Sequence, residues 1–206
     1  MRIICDAQHT PEWHEAKAPR ITASEARICL MATNTKTYRR YVHQLADARM
    51  GIPDFEDEDT QPWHVDGIYY ESWARGWYSW NRDATVTEVG FVVSEDYDWL
   101  GCSPDGLSRI GDDEGNLEIK YRKTIRTFDS HAKVGEVKSV YPQVQTQMLV
   151  CGTQWCDYVN YWRSDEHEKE KGHVQRIHRD QSYIDNTLLP AFVRTMRDVQ
   201  DVISRR

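Results

Sequence analysis

The chain has 206 residues, 39% of them hydrophobic, with eight Trp and eleven Tyr and a formal net charge of −7. This length suits one domain over residues 1–206, and the apolar content excludes global disorder. Apolar runs fall short of the ~20 residues of a membrane helix, and the N-terminus makes a poor signal peptide, so an intracellular, cytoplasmic protein is expected. Thr22-Ala23-Ser24-Glu25 carries the capping-box pattern and predicts a short helix from Ala23 to about Met31. Tyr38, Tyr41, Val42 and Leu45 fall at helical spacing, with Gly51 placed to end that helix. Gly51 to Pro62 reads as a loop, and its acidic run from Asp54 to Asp59 as a solvated stretch. Tyr70, Trp73, Trp77 and Trp80 lie on one face of a third helix, the spacing of a core-packed stripe.

After Asp83 the character changes. Ala84 to Val93 is rich in β-branched residues and predicts one strand. Trp99 to Ser103 predicts a second, ending at the Pro104-Asp105-Gly106 turn. Gly111 to Gly115 reads as a hairpin loop. Asn116 to Tyr121 follows as a strand with Leu117 and Ile119 on one face and Glu118 and Lys120 on the other. Val137 to Val150 predicts a helix, Trp155–Trp162 and His173–His178 two strands, and Ser182 to Ser204 a closing helix with Pro190 near its first turns. The expected fold is α/β, a central mixed sheet flanked by helices, with carboxylates on adjacent strands.

Several chemistries are excluded or disfavoured. Cys5, Cys29, Cys102, Cys151 and Cys156 are odd in number, widely spaced and without a CxxC pair, which points to reduced, mostly buried thiols. His131, His173 and His178 lack HxH or HExxH spacing, and no Gly-rich phosphate loop of the Walker type occurs. An acidic net charge runs against nucleic-acid binding. The charge is uneven, however. Between Lys120 and Lys138 stand Lys120, Arg122, Lys123, Arg126, Lys133 and Lys138 against only Asp129 and Glu136.

Asp105 is followed thirteen residues later by Glu118-Ile119-Lys120. Strand alternation puts Glu118 and Lys120 on one face about 7 Å apart. A hairpin would bring Asp105 beside them. Two carboxylates plus water suit Mg²⁺, and a nearby ammonium suits charge developing on a phosphate. Turn chemistry and a solvent-facing strand account for the same spacing, so the pattern alone leaves both readings open.

Four segments in order narrow the choice: Trp13 with Arg20-Ile-Thr-Ala-Ser-Glu25; Gly67-Ile-Tyr-Tyr-Glu71; Gly101-Cys-Ser-Pro-Asp-Gly-Leu107 with Leu117-Glu-Ile-Lys120; and Tyr141-Pro-Gln-Val-Gln-Thr-Gln-Met148. Together they resemble the lambda-exonuclease, or YqaJ-type viral recombinase, family of the PD-(D/E)XK nuclease superfamily. The resemblance implies Asp105, Glu118 and the Ile119 carbonyl as Mg²⁺ ligands, with Mn²⁺ as a substitute. It implies Lys120 positioning or activating the attacking water, Glu71 near the metals as a further ligand, and Gln143 positioning water or the scissile phosphate with support from Tyr141. Ser24 with a cation would bind the 5′-phosphate of DNA. The family usually places Arg seven residues before this Ser; here Lys17 stands there, and Arg20 is nearer. The implied activity is 5′-to-3′ degradation of one strand of linear double-stranded DNA, leaving 3′ overhangs. A homotrimeric ring, a single-strand annealing protein as partner, and a phage or prophage origin in a bacterial host cell also follow from the resemblance. A site-specific endonuclease with the same metal site and a non-catalytic DNA-end-binding recombination accessory protein are the alternatives.

Overall fold

The computed structural model describes residues 1–52, 62–134 and 137–206; the expected acidic loop from Asp54 to Asp59 lies outside them. The chain opens with strand β1 (Arg2–Cys5), helix α1 (Pro11–Lys17) and the short strand β2 (Ile21–Thr22). A single 3₁₀ turn (Ala23–Glu25) then leads into helices α2 (Ala26–Cys29), α3 (Lys36–Arg49) and α4 (Pro62–Arg82). Strands β3 (Thr85–Thr87), β4 (Phe91–Val93), β5 (Leu100–Cys102), β6 (Gly106–Ile110) and β7 (Asp113–Tyr121) follow. Helices α5 (Ile125–Val134) and α6 (Val137–Cys151) lead to β8 (Trp155–Ser164) and β9 (Lys169–His178). Helix α7 (Gln181–Tyr183), a π-helical turn (Ile184–Leu188) and α8 (Leu189–Ser204) close the chain.

The fold is α/β with mixed sheets flanked by helices, as expected. The strands divide, however, into two sheets of order β1-β4-β5-β2 and β3-β6-β7-β8-β9. The β-rich run from Ala84 to Val93 is therefore not one strand. Thr85–Thr87 pairs with β6 and Phe91–Val93 with β5, in different sheets. Gly90 makes the break possible. A Cβ there would meet the Cys5 and Ala7 carbonyl oxygens at 2.7 and 2.5 Å, so only glycine lets the chain pass so close to β1. The predicted hairpin between Asp105 and Glu118 forms, with Gly106 opposite Leu117, but it is tighter than expected. The turn sits at Gly111, with φ +59°, and β7 begins at Asp113.

The larger sheet is covered on both faces. Leu117, Ile119, Val159 and Tyr161 pack with Ala74 and Tyr78 of α4. Cys156 and Tyr158 pack with Val140, Val144 and Met148 of α6. A third cluster unites Tyr38, Tyr41, Val42 and Leu45 of α3 with Phe192 and Val199 of α8, each buried side chain contributing roughly 1.5–3 kcal/mol. The central strands are thus buried on both sides, and the strict alternation of β7 sorts Glu118 and Lys120 toward α6.

The tryptophan stripe is only partly core. Trp77 packs against Tyr161 and over Gly172, where a side chain would collide with the indole. Trp73 is 45% exposed and Trp80 88%. The helix meets the sheet through the neighbouring row, Glu71, Ala74 and Tyr78, because the small Ala74 allows close approach. Trp73 and Trp80 of the aromatic row are turned outward.

Candidate active site

Asp105 lies where the chain crosses from the smaller sheet (β5) to the larger (β6). Its backbone N–H donates to the Leu117 carbonyl at 3.0 Å, and its carboxylate accepts the Ile119 N–H at 2.5 Å. The hairpin thereby fixes Asp105 against Glu118. The Glu118 carboxylate is 1% exposed. Its Oε1 accepts Lys120 Nζ at 2.6 Å and Gln143 Nε2 at 2.8 Å, and its Oε2 accepts Gln147 Nε2 at 2.7 Å. Buried carboxylates need such donors, because a bare buried charge is costly. Gln143 and Gln147 stand four residues apart on α6 and so share one face. Gln147 was within the sequence motif but carried no role there; the i, i+4 spacing from Gln143 is the signal that identifies it.

Glu71 reaches the same cleft from α4, paired with Arg75. Arg75 also binds Glu88 at 2.7 Å and donates to the Asp105 carbonyl at 3.4 Å. Sequence reasoning missed Arg75. Its position one helical turn after Glu71 is a common surface spacing with no distinguishing mark.

Electrostatics mark the cluster as unusual. Burial, then Glu118 and Glu71, push the Asp105 carboxyl well above its ordinary range, against the pull of Lys120 and the Ile119 N–H. Burial also raises Glu71, despite Arg75. Glu118, with help from Asp105, raises the Lys120 ammonium above its ordinary value and outweighs burial. Three carboxylates therefore converge with too little positive charge, the situation a divalent cation relieves. The donor set is all oxygen: Asp105, Glu118 and the Ile119 carbonyl, with Glu71 alongside. Among the described residues no three His, Cys, Asp or Glu side chains form a ready-made cage. Two carboxylates completed by a carbonyl and water is the form Mg²⁺ accepts, so the residues fit.

One cleft joins these groups to the N-terminal segment. Asp105, Lys120, Glu71 and Gln143 line it together with Lys17 and Ser24. Lys17 Nζ lies 4.8 Å from the Trp13 ring centre, and Trp13 Nε1 donates to Ser103 Oγ at 2.7 Å. Arg20 is turned elsewhere: its guanidinium donates to the Ala16 and Asp98 carbonyls at 2.5 and 2.9 Å. Tyr141 also leaves the cleft, donating to Asp180 at 3.0 Å and packing on Tyr183. The helix expected after Thr22 is a single 3₁₀ turn before the four-residue α2, too short for a helix dipole to hold an anion. The Thr22 hydroxyl bonds the Glu25 carboxylate at 2.8 Å, not a backbone N–H. The groups this part of the cleft offers to an anion are therefore side chains.

Residues 12–154 match the YqaJ-like viral recombinase domain. Among solved structures, an alkaline exonuclease, LHK-Exo, from Laribacter hongkongensis is 29% identical with a TM-score of 0.77 over 95% of both chains. Its complex with dAMP matches with a TM-score of 0.76 at 28% identity, again over 95% of both chains. A phage-related exonuclease from Haemophilus somnus shares the fold, with a TM-score of 0.70 at 12% identity over 90% of this chain and 96% of that one. A search of curated proteins finds no match.

Proposed function

Because the chain belongs to the YqaJ-like viral recombinase family, we propose that it is a Mg²⁺-dependent 5′-to-3′ exonuclease of phage-type recombination. It degrades one strand of linear duplex DNA and leaves a 3′ overhang for a single-strand annealing protein, working as a homotrimeric ring. The observation that carries this reading is the meeting of Asp105, Glu71 and Lys120 in one cleft, with the buried Glu118 carboxylate bonded to Lys120 and close enough to act on Asp105. The 29% identity to an alkaline exonuclease along nearly the whole chain supports it.

Asp105, Glu118 and the Ile119 carbonyl would hold the ion. When bound, Mg²⁺ supplies Lewis-acid polarisation of the phosphate and an activated water. Lys120 donates to the Glu118 carboxylate at 2.6 Å, which raises its ammonium above the ordinary value. From there it positions or activates the attacking water and stabilises charge on the phosphate. Gln143 and Gln147 hold Glu118 in place from α6, and Gln143 also faces the cleft. Lys17 and Ser24 bind the terminal phosphate, which sets the end from which digestion starts.

Linear duplex labelled separately at each 5′ and 3′ end tests the reading. Release of 5′-terminal nucleotides in Mg²⁺ is expected. In Lys120→Ala it falls about 10³-fold, as when a group that stabilises transition-state charge is removed. Release from the 3′ end, cleavage of closed circular duplex, or full activity of Lys120→Ala would each refute it.

A further inference from the structure

His9, in the loop between β1 and α1, lines the cleft and has no assigned role. Its backbone φ is +61°, in the left-handed region. Glycine holds that conformation without strain, and a side chain there is retained against a conformational penalty. The side chain has a definite place. Its ring lies 5.2 Å from the Trp13 ring centre, and Lys17 Nζ lies 4.8 Å from the same centre. Trp13 itself is buried and pinned by Ser103, two residues before Asp105. Both His9 and Lys17 line the cleft with Ser24. A rigid indole thus holds an imidazole and an ammonium in the cleft that Asp105 and Glu71 also line.

We propose that His9 is a specificity-determining residue of the terminal-phosphate subsite, with its imidazole donating to the 5′-phosphate of the strand being degraded, alongside Lys17 and Ser24. This rests on the exonuclease reading above. Two features of the chain favour it. Lys17 offers a point charge without the planar fork of arginine, so one lysine leaves phosphate oxygens unserved. An imidazole N–H beside it supplies a second donor, and both ring nitrogens donate when it is protonated. Arg20, the other candidate, is committed to carbonyl groups outside the cleft.

Binding without turnover tests this. Affinity of the full-length protein for a duplex end bearing a 5′-phosphate or a 5′-hydroxyl is measured by anisotropy in Ca²⁺, for wild type, His9→Gly and His9→Asn. Glycine relaxes the backbone, and asparagine tolerates the left-handed conformation, so both variants should fold; melting curves check that. Wild type should prefer the phosphorylated end, and both variants should lose about 10-fold of that preference, one charge-assisted contact's worth. An unchanged preference in either variant overturns the inference while leaving the exonuclease reading intact. A wild type indifferent to the phosphate overturns the terminal-phosphate subsite itself, and the role of His9 with it.

Discussion

The two faces of α4 share one helix and have opposite fates. The inner row carries Glu71 into the cleft, Ala74 onto the sheet, and Tyr78 into a buried network. The outer row carries Tyr69, Trp73 and Trp80, which stay exposed. Both rows repeat at helical spacing. The difference lies in fit to the sheet: one alanine allows approach, and one tyrosine hydroxyl finds an acceptor inside. A bulky aromatic row gives the stronger apolar signal in sequence but cannot pack as close. Size and hydrogen-bonding reach, not hydrophobicity alone, decide which face is buried.

The sharpest probe of the inner face is its deepest anchor. Tyr78 donates to Asp157 at 2.7 Å, and Arg176 binds the same carboxylate through two bonds of 2.8 and 2.9 Å while lying over Trp155. The Asp157 side chain is fully buried. Asp157→Ala strips two donors of their partner, so stability should fall by about 3–5 kcal/mol in urea melts. A fall below about 1 kcal/mol would show that α4 is held by apolar contact alone and would break the contrast between its faces.

The nearness of Asp105, Glu118 and Lys120 in the candidate site was legible in the sequence; the turning away of Arg20 and Tyr141 and the scaffold around the site were less so. Asp105, Glu118 and Lys120 are fixed by a hairpin and by strand alternation, both local rules, and the structure places them as expected. The division into two sheets was not legible. Strands of three residues carry little periodicity, and only the close passage at Gly90 shows why the run from Ala84 to Val93 breaks. Strand β1 and helices α1 and α5 were missed altogether, being short and mostly exposed. Gln147 was visible in principle, since spacing alone links it to Gln143. Arg75 and His9 were not, because their places beside Asp105 and in the cleft depend on the return of distant segments.

Glu71 gives the middle test, since it belongs to the inner face yet faces the cleft. Burial lifts its carboxyl above the ordinary range. The sign follows: the folded form takes up the proton more readily than the unfolded, so this group favours folding at low pH. That advantage is lost as pH rises through the elevated value. Glu71→Gln in metal-free buffer should therefore flatten the decline of melting midpoint with pH. In Mg²⁺ the same variant should lose about 10- to 100-fold in rate, as expected for a side chain that supports metal ligands. A full rate with an unflattened pH profile would move Glu71 to the outer, inert class.

The smallest effect belongs to the outer face. Trp80 is 88% exposed, so little apolar area is withdrawn from water when it is placed there. Trp80→Ser should change stability by less than about 0.5 kcal/mol, the range of surface substitutions remote from caps and networks. Trp77 is the internal control: its ring covers Gly172 and meets Tyr161. Trp77→Ala should cost about 3 kcal/mol through the cavity it leaves. Both residues stand on one helix, three positions apart, and both are tryptophan. Urea melts of the two single variants therefore isolate burial from residue type, and equal losses in both would show that Trp80 is covered in solution.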